Sequence, residues 1–291
     1  MNKIDLLKKE FDKLKQGKEA LLALIDEAEI AESVYNSNAI ENSTLTLKET
    51  EKIIMEMEIS RNISLREVFE ARNLARIFSF LKNSGKDKQS LPLSGKKLTK
   101  DTILFFHKML LENINEKISS RFRSSNEYVR VGAHIGAIPE KIPSLIDELL
   151  LEYSSNNSSY FLDKIAKFHL EFESIHPFND GNGRIGRFLI NFQLASLGFP
   201  NIIVKNKEKN EYYTAFNEFN YIKDIKPMIK IINKALTESL HKRITYLKGL
   251  KIITLAEYAK LNKISGSSLF NSAKRQSIPA FREKGVWKIG V

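Results

Sequence analysis

Along most of this 291-residue chain the apolar side chains recur three and four positions apart, the period of a helix face. Leu6, Leu7, Phe11 and Leu14 share one such face, with lysines opposite. Thr46 followed by Glu49 reads as a capping box that opens a helix through about Met57, and Thr99 precedes a helix holding Ile103, Leu104, Phe106, His107, Leu110 and Leu111. Further helices are predicted over 141–153, 161–175, 184–197, 210–219 and 226–247, the third stopped by Gly198 and Pro200. Two stretches break the pattern. Between Arg123 and Pro139, Tyr128, Val129 and Val131 favour extended backbone and Gly132 and Gly136 punctuate it, which predicts a short hairpin or flap. From Thr254 onward two short helices are followed by a strand, a turn and a strand over 278–289. The fold class predicted is all-α with a β flap and a small C-terminal module, divided as 1–95, 96–247 and 248–291.

This length suits one sizeable core plus one small module. Hydrophobic residues make up 42% and charged residues 28%, and no run approaches the roughly 20 apolar residues of a spanning helix, so no membrane partner is expected. The N-terminus lacks an apolar signal core, and a cytoplasmic location is the plain expectation. The absence of cysteine excludes disulfides, thiolate metal sites and a cysteine nucleophile. The net charge is +11, and residues 251–291 alone carry a net +6, which suits phosphates or a solvated basic surface.

The chemistry concentrates at His176-Pro-Phe-Asn-Asp-Gly-Asn-Gly-Arg-Ile-Gly-Arg187. Pro177 disfavours helical geometry at His176, so the histidine stands where the chain leaves a helix and projects toward a cavity. Two glycines flank Asn182 at the start of the next helix, where free N–H groups and the helix dipole attract an anion. Arg184 and Arg187 in that first turn oppose the dipole by roughly 0.3–1 kcal/mol each unless an anion compensates, and both are placed to grip a polyphosphate. Asp180 beside them suits Mg²⁺, which takes one or two carboxylates at phosphates. His176, with an ordinary pKa of about 6.5, suits a general base. Together these specify phosphoryl or nucleotidyl transfer. Gly181–Gly186 also fits the dinucleotide fingerprint, but a helix precedes it and no βαβ unit follows.

The twelve residues resemble the complete signature of the Fic family, His-Pro-Phe-x-Asp/Glu-Gly-Asn-Gly-Arg-x-x-Arg, and the resemblance extends over roughly residues 30–240. It implies a helical Fic fold and transfer of AMP from Mg·ATP (Mn²⁺ being the alternative ion) to a Ser, Thr or Tyr hydroxyl of a protein, self included. By position, His176 would be the base and Asp180 the metal ligand. Gly181, Asn182 and Gly183 would form an anion hole, Arg184 and Arg187 would hold the phosphates, and Phe178 would be structural. Gly183 sides with AMP transfer, since the branch that acts as a kinase has lysine there. Phe122-Arg123 and 128–136 resemble the family flap that docks the target segment, with Val129, Arg130, Val131 and Gly132 bordering the nucleotide; the family glycine two before Phe122 is Ser120 here. Tyr212, Tyr213 and Asn220 match positions lining the adenine pocket.

Ser37-Asn-Ala-Ile-Glu-Asn42 resembles the family's inhibitory motif. Ser37 and Glu41 lie four apart on one helix face that Asn42 ends, and Glu41 could pair bidentately with Arg187, the arginine the γ-phosphate needs. In some relatives this glutamate also serves removal of AMP, and relatives of this class often dimerise. His107 and His169 are expected in the core, His134 at a target contact and His241 at the surface. Residues 248–291 resemble a small winged helix-turn-helix of DNA binders. The alternative function is therefore a DNA-binding regulator with the Fic region as a nucleotide sensor.

Overall fold

The computed structural model describes residues 2–56, 58, 62–83, 97–131, 134–156 and 158–291. Met57, Gly132 and the expected boundary at 95/96 lie outside the described residues. In chain order the helices and strands are α1 (Lys3–Leu14), α2 (Glu19–Ile40), α3 (Leu47–Met55), α4 (Leu65–Asn83), α5 (Lys100–Leu111), β1 (Arg130–Val131), β2 (His134–Ile135), α6 (Ile142–Ser155), α7 (Phe161–Ile175), α8 (Asn182–Ser196), α9 (Lys209–Ile222) and α10 (Lys226–Leu247), then β3 (Ile252–Thr254), α11 (Leu255–Leu261), α12 (Gly266–Lys274), β4 (Ala280–Glu283) and β5 (Val286–Gly290). Helices α7 and α10 have the bounds that spacing predicts. The box at Thr46 forms as read: its hydroxyl accepts from the Glu49 N–H at 3.2 Å while the Glu49 carboxylate accepts from the Thr46 N–H at 2.8 Å. No helix among the described residues is long and apolar enough to cross a membrane.

The chain divides into two compact units, Ile30–Gly198 with Ile203–Ile231, and Met1–Glu29 with Phe199–Ile202 and Ile232–Val291. The larger unit is built on α7 and α8, which pack on each other and carry the loop at His176 between them. Phe106, Phe172, Phe178 and Phe188 have at most 1% of their surface exposed. Phe188 meets Phe106 at 4.5 Å and Phe78 edge-on at 5.8 Å between ring centres. Burying each such ring contributes about 1.5–3 kcal/mol, so the loop rests on a buried aromatic core.

In the smaller unit β3, β5 and β4 form an antiparallel sheet in that spatial order, and α11 and α12 cover it through Leu255, Ala259, Leu269, Ala273, Ala280 and Ile289. The predicted two helices and hairpin are present; β3, only three residues long, had no alternation to announce it. Arg243, 1% exposed, is neutralised by Asp26 and by Glu29 at 2.7 Å, and Lys242 bridges Glu29 and Glu283 at 2.9 and 3.0 Å. These pairs are what permit two cations inside the unit. His241, expected at the surface, is 5% exposed; its Nδ1 lies 2.9 Å from Gln276 Oε1, and burial pulls its pKa down to about 4.

Candidate active site

Helix α7 closes with the His176 N–H bonded to the Phe172 carbonyl at 3.0 Å, and His176 itself adopts φ 51, ψ 62. Pro177 bars the right-handed helical region, so the chain turns out through a left-handed residue that is costly without glycine. Arg123, 2% exposed, holds this turn. Its Nε donates to the His176 carbonyl at 2.8 Å, its two terminal nitrogens donate to the carbonyls of Glu127 at 2.7 Å and Ala137 at 2.9 Å, and its own N–H donates to Pro177 O at 2.9 Å. One guanidinium thus ties the flap base to the loop.

Phe178 lies fully buried beneath the loop and stacks on His107 at 3.6 Å between ring centres. His107 Nδ1 accepts from the Ser120 N–H at 3.2 Å, which leaves Nε2 to donate to the Asp180 carbonyl at 3.0 Å. Burial holds this ring neutral, with a pKa of about 4. His107 is in the core, as expected, and also braces the loop. Ser120 has φ 56, the backbone region that favours glycine, which accounts for the family's glycine at that position. The Asn182 side chain closes the loop on itself, accepting from the Phe178 N–H at 2.9 Å and donating to the Phe178 carbonyl at 2.8 Å. Gly181, at φ 85, precedes α8; a Cβ there would meet Leu110 Cδ2 at 2.6 Å.

The two arginines of α8, expected to grip one ligand together, diverge. Arg184, 4% exposed, pairs with Asp180 Oδ1 at 2.8 Å and Glu70 Oε1 at 2.9 Å. Arg66 completes a ring of four charges by bonding Asp180 Oδ2 and Glu70, the latter at 3.0 Å. Arg66 and Glu70, four apart on α4, are not among the expected site residues. Arg187, 4% exposed, donates through Nε to Ser37 Oγ at 3.0 Å, and through one terminal nitrogen to Ser37 O and Glu41 Oε1, both at 2.8 Å. The bidentate pair expected with Glu41 is replaced by a bond from a single nitrogen, which also serves Ser37 O.

Glu41 follows the last residue of α2, and Asn42 ends the turn at φ 66. The Glu41 carboxylate lies so close over Gly183 that a Cβ there would overlap it. The end of α2 is held from two sides. Tyr213 OH donates to Ile40 O at 3.2 Å and Lys209 Nζ to Asn42 Oδ1 at 2.7 Å from α9, while Glu67 of α4 accepts from the Thr44 N–H at 2.6 Å.

Burial and the neighbouring Arg123 depress the His176 pKa to about 4, so its imidazole is neutral at pH 7. Its Nδ1 faces the Glu173 carbonyl at 3.4 Å, leaving Nε2 as the ring nitrogen for a reacting proton. In the flap, Arg130 faces Ile135 and Val131 faces His134 across an antiparallel pair. Tyr128 and Ile135 are exposed, Arg130 is exposed and Val129 half-buried. His134, expected at a target contact, meets Ser174 O at 3.0 Å through Nε2 and anchors the flap to α7. Tyr212 is 1% exposed, its hydroxyl 2.7 Å from His169 Nε2 and its ring beside Arg187. Asn220 accepts from Ser174 Oγ at 3.0 Å. Tyr212 and Tyr213 therefore stand around Arg187 and the end of α2, and Asn220 stands apart from them against α7.

Known proteins resemble this chain in sequence and in fold. Residues 97–194 match the Fic/DOC family. The protein adenylyltransferase Fic of Nematostella vectensis is 26% identical over 242 residues, covering 82% of this chain and 54% of that protein. Protein adenylyltransferase fic-1 of Caenorhabditis elegans is 28% identical over 218 residues, 74% of this chain and 41% of that one. The chain thus spans about half the length of the first relative and less of the second. A Fic domain containing signaling protein from Bacteroides thetaiotaomicron superposes with TM-score 0.72 at 25% identity, covering 85% of this chain and 98% of that one. Fic-1 from C. elegans, residues 134–508, superposes with TM-score 0.70 at 25% identity, covering 83% and 69%. The loop at His176 lies inside the stretch that matches the Fic/DOC family: residues 97–194 carry a Fic domain.

Proposed function

We propose that the chain is a protein adenylyltransferase that moves AMP from ATP to a Ser, Thr or Tyr hydroxyl of a protein, itself included, and that Glu41 holds it off at rest. The observation that carries this reading is the double use of Arg187. It lies in the second turn of α8, one turn in from the glycine-flanked N-terminus that attracts phosphate, and the same guanidinium already serves Glu41 and Ser37. An anionic γ-phosphate and Glu41 compete for one cation. His176, neutral at pH 7, accepts the hydroxyl proton at Nε2 as the oxygen attacks the α-phosphate and pyrophosphate leaves. Arg184, fixed by Glu70, steadies the phosphates.

Asp180 fits the metal that the family implies. It is one carboxylate beside a phosphate cradle, and among the described residues no group of three acidic, histidine or cysteine side chains makes a protein cage. It would hold Mg²⁺ or Mn²⁺, whose charge offsets that of the pyrophosphate. The paired strands of the flap offer an exposed edge to which an extended target segment adds as a strand. The reading places the activity in the cytoplasm, where ATP is at hand, and allows a homodimer. Incubating the Glu41→Gly protein with labelled ATP, Mg²⁺ and cell lysate, then locating AMP by mass spectrometry, tests it; no modified hydroxyl on any protein overturns it.

A second reading concerns the smaller unit. Helix α11, a four-residue turn and α12, backed by the β4–β5 hairpin, have the order of a winged helix-turn-helix, and Ser267, Ser268, Asn271, Lys274 and Arg275 of that segment are exposed. DNA suits this face and its net charge of +6 over 251–291. We expect the full chain to retard duplex DNA in low salt, and Lys274→Ala with Arg275→Ala to flatten the slope of log K against log salt by about 1–2. No retardation at 50 mM salt removes the reading.

A further inference from the structure

Glu173 lies one turn before His176 on α7, with 11% of its side chain exposed. Its Oε2 is 3.9 Å from His176 Nδ1, and its Oε1 is buried without a hydrogen-bond partner. Among the described residues the acceptor on Nδ1 is the Glu173 carbonyl at 3.4 Å, longer than a well-formed N–H···O bond. A histidine that takes a proton at Nε2 becomes an imidazolium whose Nδ1–H needs a firm acceptor. The one carboxyl within a small side-chain rotation of it is Glu173.

The groups facing Glu173 come from four elements. His169 and His176 stand with it on α7, Arg187 and the bare Gly186 face it from α8, Glu41 from the end of α2, and Tyr212 and Tyr213 from α9. A Cβ on Gly186 would overlap Glu173 Oε1, so the glycine makes room for this carboxyl. His169 and Tyr212 are both buried and uncharged, with burial depressing the former and raising the latter. The charged neighbours are therefore Glu41 and Arg187. While Glu41 neutralises Arg187, burial and the Glu41 charge keep Glu173 protonated at pH 7, with a pKa of about 8. Arg187 is buried in the structure, and once Glu41 leaves, its uncompensated charge favours a negative charge on the acid beside it.

We infer that Glu173 is a positioning residue for His176, gripping Nδ1–H as a carboxylate, and that Glu41 governs it by keeping it neutral. This rests on the reading of His176 as the base. Release of Glu41 then does two things at once: it frees Arg187 and gives the base its orienting partner. The hydroxyl proton still goes to Nε2, and Glu173 takes none.

The test follows the His176 ring by NMR titration of imidazole-labelled protein in four forms: wild type, Glu173→Gln, Glu41→Gly and the double variant. In the wild-type background Glu173→Gln should leave the His176 pKa unchanged, because a neutral carboxyl is replaced by a neutral amide. In the Glu41→Gly background the same change should lower it by about one unit or more. With labelled ATP, Glu173→Gln in that background should reduce kcat about tenfold with KM for ATP within twofold, and Glu173→Asp should recover part of the loss. Equal His176 titration with and without Glu173 in the Glu41→Gly background overturns the inference, as does full kcat in the Gln variant. If no AMP is transferred at all, the proposed activity fails, while the titration still decides the Glu173–His176 link.

Discussion

His176→Ala, made in the Glu41→Gly protein, is expected to lower AMP transfer by about 10²–10⁴-fold, the usual contribution of a positioned general base. KM for ATP should change little, because the groups proposed to face the phosphates are Arg184, Arg187 and the start of α8, none of which His176 touches. Loss of activity must then come from proton transfer and not from misfolding. The ring carries no packing burden comparable with Phe178 or Arg123, whose contacts fix the loop without it. The acid side of the rate profile supplies a second reading. With the His176 pKa drawn down to about 4, activity should persist through neutral pH and fall only as pH drops toward that value. Undiminished transfer by the alanine variant, measured as label incorporated per minute, removes His176 from the reaction.

Glu41→Gly should raise auto-AMPylation at least tenfold. Glu41 contributes one charge-assisted bond to Arg187, and such a bond is worth about 1.5–3 kcal/mol, or roughly a tenfold to hundredfold penalty on any phosphate competing for that nitrogen. Ser37 still holds Nε and one terminal N–H, so the arginine stays aligned after the change. The structure therefore predicts release without collapse of the site. Incorporation of label from ATP compares the two proteins directly, and equal labelling of wild type and variant sinks the inhibitory role.

Much of the fold was legible because it is local. Apolar spacing is enough to outline α7 and α10 to the residue, and the capping residues Thr46 and Thr99 mark where α3 and α5 begin. The loop at His176 was legible for a different reason: proline, glycines and arginines at fixed offsets dictate a turn, a bare backbone and an anion site whatever surrounds them. The missed features depend on residues far apart in sequence. Arg66 and Glu70 belong to no motif, and only the placement of α4 against Asp180 and Arg184 gives them a part in the site. His241 sits among lysines and arginines in the chain, and only the sheet of the smaller unit, with Gln276, buries it. Arg123 is placed at the flap by resemblance, but its hold on four carbonyl groups shows only in the fold. The single-nitrogen pair between Glu41 and Arg187, shared with Ser37, depends on how α2 meets α8, which spacing on one helix face cannot resolve.

The central claim, that this site moves AMP and that Glu41 restrains it, meets its most direct test in one paired incubation. The Glu41→Gly protein is given Mg²⁺ with ATP labelled at the α-phosphate in one tube and at the γ-phosphate in the other, with the wild-type protein alongside. AMP transfer predicts stable label on protein from the α-position only, stronger in the Glu41→Gly protein than in the wild type. Label retained from the γ-position, or none from either, would contradict it.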